Sequence, residues 1–420
     1  MVVIIGAGLA GLTCAKTLHQ AGADFLLLEA AEQPGGRVAS VRKDGFTFDR
    51  GFQVIMDSYP SVRQHVHIEA LAPRYFDAGA LLWDKGTFFE TKSPLQHPGA
   101  VFSDLSSAAF PFADKVRFAT IVSSTLLASD YELMEKCGGK DDESTLDYLQ
   151  RLGCGENMIR RFVQPFFGGV FLDNSLETSK GLFWFYLKKF ATGLAFVPAG
   201  GVGDFPRQLC SALPPEKVQF GARVSGIDQD RGQVRGIILS TGKNISADHV
   251  VLATDEPSTR QLLGGAKQAR PHTSVTVVYF ESELSLYDQK LIVLPAGADR
   301  LVRHFVQITN IAPEYAPAGR HLLSATILDR RSLDDDGLSK AAMAEIVEVF
   351  PAARRRLRLI AMQNVPYATL KQPAGFAGGL TSPAALENLH FAGDQVSSSS
   401  IEAAMHSGQQ AAMDCLSPRN

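Results

Sequence analysis

Apolar positions along the chain follow two periods, and their order predicts strands alternating with helices from the first residues. VVII (2–5) is a continuous apolar run, too short for a helix and closed at once by Gly6, as a buried strand would be. LTCAKTLHQAG (12–22) repeats its apolar positions at helical spacing and stops at Gly22. DFLLLEA (24–30) predicts a second buried strand. VQFGARVSGIDQDRGQVRGIILSTGKNISADHVVLATDEP (218–257) alternates like a meander and closes on HVVLAT, a buried strand running into a turn of small residues. TSVTVVYFESE, KLIVLP, LVRHFVQITN and HLLSATILD, between residues 273 and 329, predict a second sheet. Residues 75–195 carry long helical stretches instead, among them SAAFPFADKVRFATIVSSTLLAS and ESTLDYLQRLG. Near the end, LHFAGDQVSSSSIEAAMHSGQQAA (389–412) predicts a short strand, a serine-rich turn and a helix opening near Ile401.

The turn between the first strand and the first helix is GAGLAG (6–11), a GxGxxG motif in the strand–turn–helix–strand setting that a dinucleotide site requires. Gly6 permits the tight turn. Gly8 has no Cβ, so the backbone can approach a pyrophosphate, and Gly11 lets helix and strand pack closely. The helix N-terminus offers unpaired N–H groups and the positive end of a dipole to phosphates. Glu29, ending the second strand, is placed to bind a ribose diol, and a carboxylate there disfavours a 2′-phosphate.

Length and composition narrow the classes. With 420 residues the chain is expected to form two domains or an interleaved pair. A net charge of −3 and no long basic tract argue against a nucleic-acid partner. Arg354, Arg355, Arg356 and Arg358 follow an amphipathic stretch and are expected on a solvated helix face, with anionic lipid as the alternative. Five cysteines without a CxxC pair predict neither a disulfide framework nor a zinc site, so a reducing, cytoplasmic location is expected. No signal peptide is expected before the first strand, since the glycine motif follows MVVII directly, and no apolar run is long enough to span a bilayer. No metal site is expected: Asp334, Asp335 and Asp336 predict an exposed loop, and His65 and His67 lack further ligands at a zinc spacing.

EAAEQPGGRVAS (29–40) follows the glycine motif. There the chain resembles the superfamily of FAD-dependent amine oxidases, protoporphyrinogen oxidases and phytoene (carotenoid) desaturases. The resemblance is strong at residues 4–54 and 389–412, moderate at 196–254 and weak elsewhere. It implies non-covalent FAD, touched by Gly6, Gly8, Leu9, Ala10 and Gly11, by Glu29 and Ala30, and by Gly36, Arg37 and Val38. Gly51, Phe52 and Gln53 of FTFDRGFQVIMDSYP would lie near the isoalloxazine. The backbone of Val224 would meet the adenine. Gly393 and Asp394 would meet the ribityl or pyrophosphate part, and the helix carrying Ile401 and Ala404 would aim its N-terminus at the flavin N1/C2 edge. A hairpin with Asp49 in its turn, a plain meander and a terminal helix packed on the sheet are the alternatives for these three segments.

The implied fold is α/β: a Rossmann-like FAD-binding domain assembled from residues 1–72, 197–265 and 385–420, with an inserted α+β substrate domain of mixed or antiparallel sheet from 73–196 and 266–384. FVPAGGVGDFPRQLC resembles the family segment that leads back to the FAD domain. FVQPFFGGVFLDNSLETSKGLFWFYLKKF could be core, pocket wall or membrane contact, and Lys188 and Lys189 could lay their stems over apolar surface.

The implied reaction is hydride transfer from a substrate C–H to flavin N5. Amine oxidases carry a lysine on a strand matching SVTVVYFE, where this chain has Thr276, and cage the amine with aromatics where it offers only Tyr367. Both departures favour dehydrogenation, or flavin-assisted isomerisation, of a large apolar or polycyclic substrate of carotenoid or tetrapyrrole type. Oxygen or a quinone would be the electron acceptor, and peripheral membrane contact would fit such a substrate. An amine or amino-acid oxidase is the alternative; a flavin-bearing binding or assembly protein without turnover is another. Gln53 and Tyr367 are the candidate catalytic residues. His406 is expected to be packed or exposed.

Overall fold

A computed structural model describes residues 1–92, 110–265, 270–297, 299–376 and 386–417. The start of the stretch opening SAAF and the FAGGL segment (376–380) from Ala377 onward lie outside the described residues.

Three distant parts of the sequence build one five-stranded parallel sheet, in the order Val218–Gln219, Phe25–Leu28, Val2–Ile5, His249–Leu252 and Leu389–Phe391. Strand residues alternate between its faces. Ile4, Leu27 and Val251 pack with Leu12 and Leu18 of the helix Leu9–Gln20 and with the terminal helix Ile401–Leu416. Val3, Ile5, Leu28 and Val250 pack under Val234 and Ile237 of an antiparallel meander, Val224–Asp230, Gln233–Leu239 and Asn244–Ser246. Because both faces are covered, these strands read as unbroken apolar runs. A Cβ on Gly408 would stand 2.1 Å from the Ala10 carbonyl oxygen, so a glycine is required where the terminal helix crosses the first one.

The second sheet has seven strands, ordered Arg358–Leu370, His272–Ser282, His321–Ile327, Val302–Gln307, Ile292–Pro295, Gly79–Asp84 and Thr87–Lys92. All neighbours are antiparallel except Ile292–Pro295 with Gly79–Asp84. Leu338, Ala342 and Ile346 of the helix Asp335–Val349 cover one face, against Val278, Phe280 and Phe305. The opposite face, with Val275, Val277, Tyr279 and Val306, joins the main core.

Several expectations change. Residues 75–195 are not helical throughout: Gly79–Asp84 and Thr87–Lys92 extend the large sheet. The three aspartates open a helix; Asp334 is its N-cap, accepting the Gly337 N–H at 2.8 Å, because a carboxylate satisfies an otherwise unpaired donor. Arg354–Arg356 follow a short 3-10 turn, and Arg358 begins a strand and pairs with Glu281. Lys189 is buried and, like Lys188, pairs with Asp130, so neither lysine merely shields apolar surface. The aromatic stretch is largely core: Phe167, Phe183 and Phe185 are buried, with Phe167 and Phe183 ring centroids 4.8 Å apart. Asp49 ends a strand, Phe46–Asp49, and the hairpin turn is Asp44–Gly45, where both φ angles are positive. Among the described residues no helix is long and apolar enough to cross a membrane.

Candidate functional site

Gly6 adopts φ +105°, and a Cβ there would meet the Ala253 carbonyl oxygen at 2.8 Å; at Gly11 it would meet the Gly6 carbonyl oxygen at 1.9 Å. The turn therefore fits only without side chains, jammed between its own helix and the end of strand His249–Leu252. Gly8 differs. It is the N-cap of the helix with no side-chain cap, and a Cβ on it would find nothing within 4 Å. Open space thus lies directly over the helix N-terminus, where Leu9 and Ala10 begin the first turn.

The glycine pair closes one side of that space. The Gly35 N–H donates to the Ala7 carbonyl at 2.9 Å, and a Cβ on Gly36 (φ +59°) would sit 3.7 Å from Gly8 Cα. Glu29 forms the other side, its carboxylate accepting the Ala7 N–H at 2.7 Å and the Ala31 N–H at 2.9 Å. Ala30 beside it is exposed, while Val38 is buried. The Ala222 N–H donates to the Glu29 backbone carbonyl at 2.8 Å, just before the meander's first strand begins at Val224.

Arg37 joins this cradle to the C-terminal segment. Its guanidinium makes a forked pair with Asp394 at 2.6 and 3.0 Å and donates to the Ala368 carbonyl at 3.0 Å. Asp394 is buried, and such bidentate geometry fixes orientation as well as distance. Gly393, at φ +109°, donates its N–H to Ser407 at 2.8 Å, tying the loop to the terminal helix. The serine-rich turn is a strap. Ser399 accepts the Tyr186 hydroxyl on its carbonyl at 2.9 Å and the Leu370 N–H on its hydroxyl at 3.2 Å. Ser400 caps the helix by accepting the Ala403 N–H at 2.9 Å. Ile401 and Ala404 are half-buried one turn apart.

Gln53 and Tyr367 meet around the same arginine. The Gln53 amide donates to the Arg37 carbonyl at 3.0 Å, and the Arg37 guanidinium lies 5.8 Å from the Tyr367 ring centre. Gln53 Oε1 and the Tyr367 hydroxyl are both buried with no hydrogen-bond partner. Burial also raises the Tyr367 pKa, so the phenol stays protonated. Beside Gly51 stand Val275 and Val365 of the large sheet. Phe52 packs edge-on against His304, ring centres 4.7 Å apart. A cavity of about 60 Å³ opens between the aromatic helices, Gln164–Phe171 and Lys180–Thr192, and the strap; Phe171, Leu182, Tyr186, Thr369, Leu370 and Ser399 stand in its wall beside the charged Asp173, Glu177 and Lys371.

Sequence reasoning missed several participants. His304 is buried with neither ring nitrogen bonded, and burial beside Arg303 drives its pKa down to about 3, so it is neutral. Every residue of its strand is buried, so no alternation marked it. Asp49 accepts Ser40 at 2.6 Å, Tyr315 at 2.8 Å and the Val202 N–H at 3.1 Å, yet burial lifts its pKa to about 6. Glu402 is buried, accepting both the N–H (2.9 Å) and hydroxyl (2.7 Å) of Ser61, and so locks the terminal helix onto the helix Pro60–His65. The glutamate stood in the motif, but its partner lies 341 positions away. His406 is half-buried against Tyr131, 4.2 Å between ring centres.

The residues present fit a flavin dinucleotide: a helix N-terminus with open space above it, the Glu29 carboxylate beside it, and unbonded polar atoms on Gln53 and Tyr367. Comparisons with known proteins agree. The chain is 24% identical over 398 residues to 15-cis-phytoene desaturase of Glycine max, covering 83% of this chain but only 66% of that protein's length. It is 25% identical over 284 residues to an L-amino acid oxidase of Cerastes cerastes, covering 62% of this chain and 52% of that protein. Among solved structures, an oxidoreductase from Methanosarcina mazei superimposes with a TM-score of 0.75 at 18% identity, covering 98% of this chain and 99% of that one. The family model "Flavin containing amine oxidoreductase" matches residues 9–416, so the chain belongs to that family of FAD-dependent oxidoreductases, which typically hold the nucleotide without a covalent bond.

Proposed function

We propose that the protein is an oxidoreductase that removes hydride from a C–H bond of a large, neutral, apolar or polycyclic substrate of carotenoid or tetrapyrrole type. Bound FAD would supply the hydride acceptor at N5 of its ring. The chain's own residues bind, orient and exclude water. Gly6, Gly8 and Gly11 admit the pyrophosphate to the helix N-terminus, Glu29 takes the ribose hydroxyls with Ala30 alongside, and the Val224 backbone meets the adenine. Gly36, Arg37, Val38, Gly393 and Asp394 hold the middle of the molecule. Gly51, Phe52, Gln53 and Tyr367 face the ring system, and the N-terminus of the helix bearing Ile401 and Ala404 stabilises negative charge on the reduced ring by about 0.3–2 kcal/mol. On this reading the FAD-binding and substrate domains keep the boundaries read from the sequence.

One observation carries the substrate class. The sheet face against Gly51 is apolar and uncharged: Val275, Val277 and Val365 with the neutral His304 close by, and Thr276 is turned to Asn364 at 3.2 Å where amine oxidases have a lysine. The two arginines nearest the Asp394 loop are already paired, Arg37 with Asp394 and Arg270 with Glu256, which leaves neither for a substrate carboxylate. The match to a phytoene desaturase over most of the chain supports the same class. At about 60 Å³ the cavity holds no such molecule as it stands, so the reading requires the aromatic helices to part from the strap on binding. The match to an L-amino acid oxidase favours a second reading, oxidation of an amine or amino acid.

Anaerobic mixing separates the two. Carotene precursors or reduced tetrapyrroles are expected to bleach the oxidised flavin band, and amines and amino acids to leave it intact. Bleaching by amines or amino acids alone would establish the second reading, and a flavin that no candidate bleaches would indicate a binding protein without turnover. Oxygen and a quinone, tried in turn on the reduced protein, identify the acceptor by the rate at which colour returns. Co-sedimentation with anionic vesicles tests membrane contact.

A further inference from the structure

Away from the flavin cradle, three segments bring two imidazoles and a thiol together. His249 is the first residue of strand His249–Leu252, His390 lies in the edge strand Leu389–Phe391, and Cys415 is in the last turn of the terminal helix. One nitrogen of each imidazole and the Cys415 sulfur all lie within 4.8 Å of one another, and all three residues are half-buried. The imidazoles face each other directly, His249 Nδ1 to His390 Nε2 at 3.0 Å. Ligands on a tetrahedral zinc, with Zn–N near 2.0–2.1 Å and Zn–S near 2.3 Å, stand about 3.3–3.6 Å apart. The cluster is therefore within small side-chain rotations of a coordination triangle.

We propose that His249, His390 and Cys415 bind one thiophilic divalent cation of the zinc type. Two imidazoles with a thiolate suit zinc over magnesium or calcium, which prefer oxygen. Both imidazoles bind as neutral rings, each keeping its proton on the nitrogen turned away from the metal. The thiol loses its proton to solvent as the sulfur–metal bond forms. Three protein ligands leave the fourth position to water. The site lies at the end of the parallel sheet opposite the glycine turn, because His249 starts its strand whereas Ala253 follows the end of it. Its effect is to staple the edge strand and the end of the terminal helix to the sheet, with no part in the redox step.

The test uses the full-length flavoprotein, stripped with EDTA and dialysed against micromolar zinc, followed by metal analysis and by a cobalt(II) difference spectrum. The wild type is expected to retain one zinc per chain, to show a thiolate-to-cobalt band, and to unfold at a higher temperature with zinc than without. Cys415→Ser and His390→Gln should each weaken zinc binding by more than about a hundredfold, beyond the 10–100-fold typical of losing an outer-shell partner. The exposed His67→Ala should bind zinc as the wild type does. Flavin content and urea midpoint, measured without zinc, show that each variant keeps its fold and keep the result separate from the flavin reading. A wild type that retains no zinc, or Cys415→Ser and His390→Gln variants that retain as much as the wild type, would overturn the proposal.

Discussion

The parallel sheet and the seven-stranded sheet differ in which atoms carry their chemistry. Around the parallel sheet it belongs to the backbone. Gly6, Gly8, Gly11, Gly35, Gly36 and Gly393 serve through missing side chains, positive φ angles or bare N–H groups. On the large sheet the candidate groups are side chains, such as His304 and Tyr367, set among buried valines. Backbone chemistry demands particular residues at particular spacings. Side-chain chemistry on a buried strand does not, since a histidine there looks like any other interior position. Two ion pairs differ in burial: Arg37–Asp394 closes the cradle with side-chain exposures of 33% and 3%, whereas Arg330–Asp335 near the large sheet is open, at 31% and 75%.

The largest effect should come from breaking that buried joint. Arg37→Met leaves the Asp394 carboxylate buried with the Ser399 hydroxyl at 3.5 Å as its side-chain hydrogen-bond partner among the described residues, and removing one partner of a buried pair costs about 3–5 kcal/mol. Urea unfolding should show that loss together with reduced flavin content. Arg330→Met should cost under about 1 kcal/mol, as exposed pairs do. Equal losses in the two variants would mean that Arg37–Asp394 is no stronger a joint than a solvent-exposed pair.

Asp49, where the cradle hairpin meets Tyr279 and Tyr315, gives a pH test of somewhat smaller size. Its pKa is about 6 in the folded protein against about 3.9 in an unfolded chain. Below pH 4 both states hold the proton and above pH 6 neither does. Between them the folded state keeps a proton the unfolded state has released, so this group's contribution to stability falls as pH rises, by about 2–3 kcal/mol in all. Urea midpoints from pH 4 to 7 should show this decline in the wild type beyond whatever Asp49→Asn shows. A parallel pair of profiles would mean that the carboxylate is not held protonated.

How much could be read in advance follows the same division. Gly6, Gly11, Glu29, Arg37 and Asp394 stood out because steric and charge demands leave few substitutes; the structure shows the tight turn at Gly6 and Gly11, the Glu29 bond to Ala7 and the Arg37–Asp394 pair. The meander was legible from alternation, and four strands of the large sheet from short runs rich in apolar residues. Gly79–Asp84 was not: GALLWD is buried at four consecutive positions, a run that fits helix or strand equally. Asp334–Asp336 read as a loop because acidic residues favour both loops and helix starts. The partners of Glu402 and the triangle of His249, His390 and Cys415 depend on contacts between residues far apart in sequence, and no local pattern encodes them.

Two glycines separate packing from binding within the cradle itself. Gly11→Ala should lower stability by at least the 1–3 kcal/mol of ordinary overpacking, since its Cβ would stand 1.9 Å from a carbonyl oxygen. Gly8→Ala adds a methyl where nothing lies within 4 Å and φ is −74°, so its urea midpoint without flavin should stay within about 0.5 kcal/mol of the wild type. Its flavin affinity should nonetheless fall at least tenfold, read by fluorescence titration of the apoprotein. If Gly8→Ala binds FAD as the wild type does, the space above the helix N-terminus is not where the pyrophosphate sits.

The smallest effect distinguishes the strap from the helix it leads into. Ser400 is the N-cap of the terminal helix through the Ala403 N–H, and replacing such a serine by alanine costs about 1 kcal/mol. Ser399 carries the strap's links to Tyr186 and Leu370; Ser399→Ala removes the hydroxyl's bond to the Leu370 N–H and its 3.5 Å contact with Asp394, and leaves the carbonyl's bond to Tyr186. Ser400→Ala should therefore lower the urea midpoint and loosen FAD slightly, because the freed Ala403 N–H adds motion at the helix N-terminus. Ser399→Ala should change the bleaching rate with an apolar substrate more than it changes stability, because the strap forms one wall of the cavity beside Phe171 and Tyr186. Were both serines to alter only stability, the strap would be a fastening and the substrate would enter elsewhere along the large sheet.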